Sequence, residues 1–200
     1  MSDSRLQALE RAWEASGSVE DEAAFLRERV RVGDLSQERL ELAACCGHAG
    51  ARHVSGCAEA SGDFLPRLYA QSFECSARTN LSIAHALLAD FPELKSSPEL
   101  QEWLDVMRKV VDGACGVDAL TAAFDQVANT MSLETTDEID LFQFICAAGD
   151  VFGSWGGKPS WSFVPDLVLV AADDAQGCEW ARIQEALRPI GTWLLESTME

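Results

Sequence analysis

Apolar residues recur at three- and four-residue steps along most of this chain, and the early runs are bracketed by hydroxyl residues and glycines. Leu6, Leu9 and Trp13 share a helical face, and Gly17 follows where a left-handed residue can close a helix. Ser18 then precedes Val19-Glu20-Asp21-Glu22. A hydroxyl cap followed by acids suits the positive end of a helix dipole. Phe25, Leu26 and Val30 continue on one face, and Gly33 is the next stop. Ser36 opens a third segment with Leu40, Ala43 and Ala44 as its apolar face, Gly47 ends it, and a short fourth segment covers 49–58. Four helices joined by such short turns predict antiparallel helix hairpins.

The same rhythm continues. A helix is expected over 64–88 through Leu68, Tyr69, Phe73, Ile83, Ala84, Leu87 and Leu88, with Thr79-Asn80 as its weak point and Phe91-Pro92 as its end. Ser97-Pro98-Glu99 restarts the chain, a serine cap with proline at the first helical position. Leu100, Trp103, Leu104, Met107 and Val111 follow, then a helix over 117–131 using Leu120, Phe124 and Val127. A third, over 137–151, has Ile139, Phe142, Ile145 and Cys146 in its core. Residues 153–165 differ: three glycines and two prolines punctuate Trp155, Trp161 and Phe163, which predicts an ordered loop whose aromatics fold back on the helices. Segment 166–172 is ambiguous: Val168, Leu169 and Val170 allow a strand, while Pro165 at a helix start and the helical chain favour helix. The final helices are expected over 177–188 and 190–197, kinked or separated at Pro189. Helix thus accounts for about two thirds of the chain, twice the usual share, and no run alternates as a strand would. The fold class is all-α: antiparallel hairpins in an irregular bundle or short α-α superhelix. An N-terminal module at 1–60 and an acidic bundle at 61–200 pack together as one continuous domain.

Charge narrows the functions. The 200 residues carry 33 acids against 15 Lys and Arg, a net charge of −18. That opposes binding to nucleic acid or to an anionic membrane surface, both of which call for a basic face. Residues 1–60 hold seven arginines and eleven acids, whereas 61–200 hold eight basic residues and twenty-two acids. A one-signed field speeds encounter with an oppositely charged partner by about tenfold or more at low salt. The polar start of the chain lacks the apolar core of a signal peptide, and no run is long enough to span a bilayer. The seven cysteines, an odd number, sit mostly among Ala, Leu and Phe and read as reduced thiols of a cytoplasmic protein. Asn80-Leu81-Ser82 has the form of a glycosylation acceptor but reads as coincidence in that compartment.

Two stretches carry resemblances. The first comprises Arg11-Ala12-Trp13, Gly17-Ser18-Val19-Glu20-Asp21-Glu22-Ala23, Leu26-Arg27-Glu28-Arg29-Val30-Arg31, Gly33-Asp34-Leu35, Glu38-Arg39-Leu40-Glu41-Leu42-Ala43-Ala44, Gly47-His48 and Ala51-Arg52. It resembles an N-terminal helical module found in many myxobacterial proteins, to which no chemistry is attached. In the remainder, elements of the Cys75 to Leu88 and Ser97 to Val111 type come before Trp180-Ala181-Arg182-Ile183 and Leu187-Arg188-Pro189-Ile190. That order is similar to helical proteins grouped as immunity proteins of bacterial toxin systems. The chain departs from them in lacking their alanine-rich middle and in having the Trp-Gly-Gly loop. The resemblance implies a helical, non-catalytic protein and offers no catalytic motif to carry over.

Candidate chemistry is sparse. Cys45, Cys46, His48, His53 and Cys57 are zinc-ligand types within thirteen positions. Their spacing matches no finger or ribbon, adjacent Cys45 and Cys46 diverge by about 100° on a helix, and His48 falls at a turn where it can cap. Cys75 and His85 lie too far apart on one helix to form a nucleophile–base pair, and His85, between Ala84 and Ala86, is expected in the core. Glu134, Asp137, Glu138 and Asp140 begin a helix, where acids stabilise the dipole. Lys158 and its glycines do not have Walker spacing. The expectation is a non-enzymatic acidic protein, without cofactor or metal, that binds another protein of basic surface. Its concrete form is an immunity or inhibitor protein with Trp155, Trp161, Asp137, Glu138 and Asp140 at the contact. A helical-repeat scaffold in a bacterial assembly is the alternative, and a metal protein or enzyme built on Cys45, His48, His53 and Cys57 the third.

Overall fold

The computed structural model describes residues 2–56, 64–90, 96–116 and 178–196, with 118–119, 122–123 and 126–127. Every regular element among these residues is helical, so the fold is all-α as the periodicity predicts. The helices are α1 (Ser2–Ser16), α2 (Val19–Val32), α3 (Gln37–Cys45), α4 (Ala49–Ser55), α5 (Phe64–Tyr69), α6 (Phe73–Leu87), α7 (Pro98–Val111) and α8 (Cys178–Glu196), with a 3-10 turn over Leu88–Asp90. No described helix is long and apolar enough to cross a membrane. The 153–165 loop, with Trp155 and Trp161, and the acids Asp137, Glu138 and Asp140 lie outside the described residues, as does Cys57.

Local chemistry sets the boundaries. Ser18, Ser36 and Ser97 are N-caps, each accepting the backbone N–H three residues on, and Pro98 occupies the first helical turn. Gly17, Gly33 and Gly47 close α1, α2 and α3 in the left-handed region, at φ of 62°, 83° and 93°. The helix expected over 64–88 is instead two. Ser72 caps α6 by accepting from Cys75 N at 3.0 Å, so the break falls there and not at Thr79-Asn80. Both of those residues are fully buried inside an unbroken α6. Thr79 Oγ1 donates to Cys75 O at 2.7 Å, satisfying a hydroxyl that would otherwise be stranded.

Contacts divide the chain into two compact units, Met1–Phe64 with Leu187–Glu200, and Leu65–Ala186. In the first, α1 packs on α2, and α4 on both α2 and α3. Ala23, Leu26, Leu40, Leu42, Ala43 and Ala51 are buried there, as are Leu187, Ile190, Leu194 and Leu195 of α8. α8 runs through Pro189 without separating. The proline sits on the exposed side, and burial of Leu187, Ile190 and Leu194 around it offsets a cost of about 3 kcal/mol for proline inside a helix.

Gly191 is where α8 comes closest to its neighbours. A methyl group there would lie 3.0 Å from Ala43 O, 3.2 Å from Cys46 Cβ and 3.3 Å from His48 Cβ. Beyond it, two arginines meet the carbonyls of the last turn: Arg29 Nη1 donates to Leu195 O at 2.6 Å, and Arg39 Nη2 donates to Leu194 O.

In the second unit α6 packs on α7. Leu100, Trp103, Leu104 and Met107 form the buried stripe of α7, which ends on Val110 rather than the expected Val111. Some of its buried polar groups bond internally: Tyr69 Oη donates to Asn80 Oδ1, and Ser76 Oγ to Tyr69 O at 2.9 Å, whereas Asn80 Nδ2 and Trp103 Nε1 are buried without a hydrogen-bond partner among the described residues. Asn80 is fully buried, so the apparent glycosylation acceptor is inaccessible in the folded chain.

Two substitutions test the seat of α8. Gly191→Val should destabilise by about 1–3 kcal/mol through overpacking. Arg39→Ala should cost a similar amount, about 1–3 kcal/mol, by leaving the Leu194 carbonyl unmet. Urea titration followed by circular dichroism reads both, and an unchanged midpoint in either variant refutes that contact's role.

Candidate functional site

The first unit contains a cleft of about 400 Å³. α1 contributes Trp13, α2 contributes Glu22, Phe25 and Arg29, the α3–α4 turn contributes His48, and α8 contributes Glu196. Trp13 and Phe25 stack with ring centroids 5.5 Å apart and planes 17° from parallel. Trp13 is only partly buried, whereas Phe25 is 8% exposed. The Arg29 guanidinium lies 5.7 Å from the Phe25 centroid, a cation–π arrangement, and its Nε is 2.6 Å from Asp34 Oδ2. One arginine therefore ties an aromatic ring, a carboxylate and the end of α8 together.

His48 performs the capping role open to it at the turn. Its Nδ1 accepts from Ala51 N at 3.3 Å, so that nitrogen carries no proton. Nε2 faces Glu22 Oε1 at 3.6 Å. Burial pushes the His48 pKa down, against the opposing pull of Glu22 and Glu196. Glu22 in turn lies over Gly50 of α4: a methyl group on Gly50 would come within 2.7 Å of the Glu22 carboxyl carbon. A glycine inside a helix costs about 1 kcal/mol relative to alanine, and here it makes room for that carboxylate.

Among the described residues, Cys45, Cys46, His48 and His53 of the metal-like cluster do not converge. Cys45 is buried and Cys46 fully so, His53 is exposed on α4, and His48 is engaged as the cap. Among the described residues no group of three or more His, Cys, Asp or Glu side chains is placed to hold a metal ion. Cys75 and His85 do not pair either. Cys75 is fully buried, and His85 is exposed rather than in the core, its Nε2 3.4 Å from Arg108 Nη2. α6 turns Ile83 and Ala84 inward, which leaves the next position facing out.

Sequence reasoning missed the arginines. All seven in residues 1–60 reach acceptors within the chain. Arg31 forks onto Glu28 at 2.6 and 2.8 Å, with Arg5 3.6 Å from the same carboxylate, although Glu28 is 3% exposed. Arg11 donates to Gln7 O at 3.0 Å, Arg27 to His53 O at 3.5 Å and Arg52 to Ala44 O at 2.9 Å. Arg29 and Arg39 hold α8. The only local signal was the i,i+3 spacing of Glu28 and Arg31. The partners of Arg5, Arg27 and Arg39, and the Leu195 carbonyl that Arg29 reaches, are brought near by folding.

Compared with protein-family models, with curated proteins and with solved structures, the chain finds no match.

In the first unit two groups make stability depend on pH, with the same sign in different windows. His48 titrates below its ordinary 6.5 in the folded chain, so its contribution is present above 6.5 and lost as pH falls through the depressed value. The Arg31 guanidinium holds Glu28 below its ordinary 4.5, so that contribution is lost only in more acid solution. His48→Asn, which keeps a capping oxygen, should flatten the stability profile just below pH 6.5 and leave the acid limb intact. Thermal unfolding across pH 4–8 decides this, and an unaltered slope in the variant overturns the assignment.

Proposed function

We propose that this chain is a non-catalytic helical protein that binds another protein of basic surface, and that it serves as an immunity or inhibitor protein neutralising a bacterial toxin or enzyme. The observation that carries the reading is the excess of acids over basic residues, together with the bonds that the arginines of residues 1–60 make within the chain. The chain holds 33 acids against 15 basic residues, and the arginines of residues 1–60 are engaged by acceptors within the chain. Arg29, Arg39 and Arg52 make their bonds from partly buried positions, while Arg5, Arg11, Arg27 and Arg31 remain exposed. Acids in excess of them set the sign of the field that an approaching molecule meets. The resemblance to helical immunity proteins supports the same reading, as does the capacity of acidic surfaces to steer basic enzymes onto an inhibitor.

The test begins with the immobilised chain exposed to extract of its source cell at low salt. Proteins released as salt rises are identified by mass spectrometry. A purified partner should then bind at least about tenfold more weakly at 500 mM than at 50 mM salt, because screening shortens the reach of exposed charges. Its enzymatic or toxic activity should fall when the chain is added. Affinity that is flat with salt removes the electrostatic basis, and undiminished partner activity removes inhibition.

A further inference from the structure

The cleft in the first unit contains a worked example of how it handles a cation. Arg29 lies over Phe25 at 5.7 Å, and its charge is met by Asp34 at 2.6 Å. Beside it Trp13 stacks on Phe25 yet stays partly open, so an aromatic surface of the same wall remains available. Two further carboxylates line the cleft, Glu10 from α1 and Glu196 from α8; both are exposed, and neither makes a hydrogen bond or ion pair among the described residues. The cations already present do not oppose another. Arg29 is balanced by Asp34, and His48 has Nδ1 committed to its cap and its charged form disfavoured by burial. The cleft therefore combines an open indole with unmatched negative charge.

We infer that this cleft is the docking slot for one cationic side chain, an arginine of the basic partner, seated against Trp13 with its charge met by Glu10 and Glu196. The inference rests on the proposed function, since it names the chemistry by which a basic partner is gripped. Arginine is favoured over lysine because a planar guanidinium stacks on an indole and still donates edgewise to carboxylates, whereas an ammonium is a compact, strongly hydrated charge. The volume, about 400 Å³, lies toward the small end of ligand clefts and suits a side chain better than a helix.

The probe is n-butylguanidinium, with n-butylurea as its neutral counterpart of nearly the same shape. Each is titrated into the full chain at low salt while the indole N–H resonances are followed, Trp13 being identified by its loss in Trp13→Phe. The guanidinium should shift the Trp13 signal saturably, with a dissociation constant on the order of millimolar. The urea should bind at least tenfold more weakly, and the double variant Glu10→Gln, Glu196→Gln should weaken the guanidinium at least threefold. Equal binding of the two probes, which would mark an apolar slot, overturns the inference, as does the absence of a saturable Trp13 shift. The captured partner separates this inference from the function beneath it. If Glu10→Gln, Glu196→Gln binds that partner as tightly as the parent chain while salt still weakens both, the slot fails and the function stands. If parent binding is itself insensitive to salt, the function fails.

Discussion

The last turn of an α-helix carries carbonyl groups with no partner inside the helix, and burying them unmet is costly. In α8 two of these groups are met by guanidiniums from α2 and α3, Arg29 on Leu195 O and Arg39 on Leu194 O. A positive charge there also complements the negative end of the helix dipole. The first unit depends on this junction. It sets Leu187, Ile190 and Leu194 into the core, and it is reachable because Gly191 lets α8 approach the Ala43 carbonyl closely. Arg29 is then fixed beside Phe25, and the cleft obtains its α8 wall.

The arrangement has an electrostatic consequence. Arginine side chains are long, and on a typical surface they would blunt an acidic field. Here those of residues 1–60 bond to carboxylates and carbonyls of the chain itself, and Arg29 and Arg39 reach carbonyls at the end of α8. Even the buried Glu28 is part of this economy, because its fork with Arg31 neutralises both charges. Structural needs thus occupy these cations, while the net acid excess of the chain remains what composition gives.

Much of the fold was readable because its determinants are local. Serine caps, left-handed glycines and three-to-four spacing act within a turn or two, and they located α1 to α4 and the stripe of α7 to within a few residues. The errors arose where a distant contact outweighed a local preference. Pro189 signals a break, yet core burial on either side carries α8 through it. Thr79 and Asn80 look like weak helix formers, but inside α6 their side chains bond to Cys75 O and receive Tyr69 Oη. His85 was placed by its alanine neighbours instead of by its angle on the helix. The cleft was illegible for the same reason: Trp13, Phe25, Arg29 and Glu196 share no spacing, and their meeting is a product of the fold. Gly50 and Gly191, two glycines inside helices, were its only advance notice.

The first unit is discontinuous in sequence. The bond from Arg29 to Leu195 joins residues 166 positions apart, and that from Arg39 to Leu194 joins residues 155 apart. A chain emerging from the ribosome presents α1 to α4 long before α8 exists, whereas every residue of the second unit is made before Leu187. Domains commonly fold in their order of synthesis, but here the earliest helices wait with Ala43 and Cys46 lacking the close approach of Gly191. The unit that begins first is completed last, and nascent α1 to α4 are the stretch most exposed to chaperones and to premature self-association.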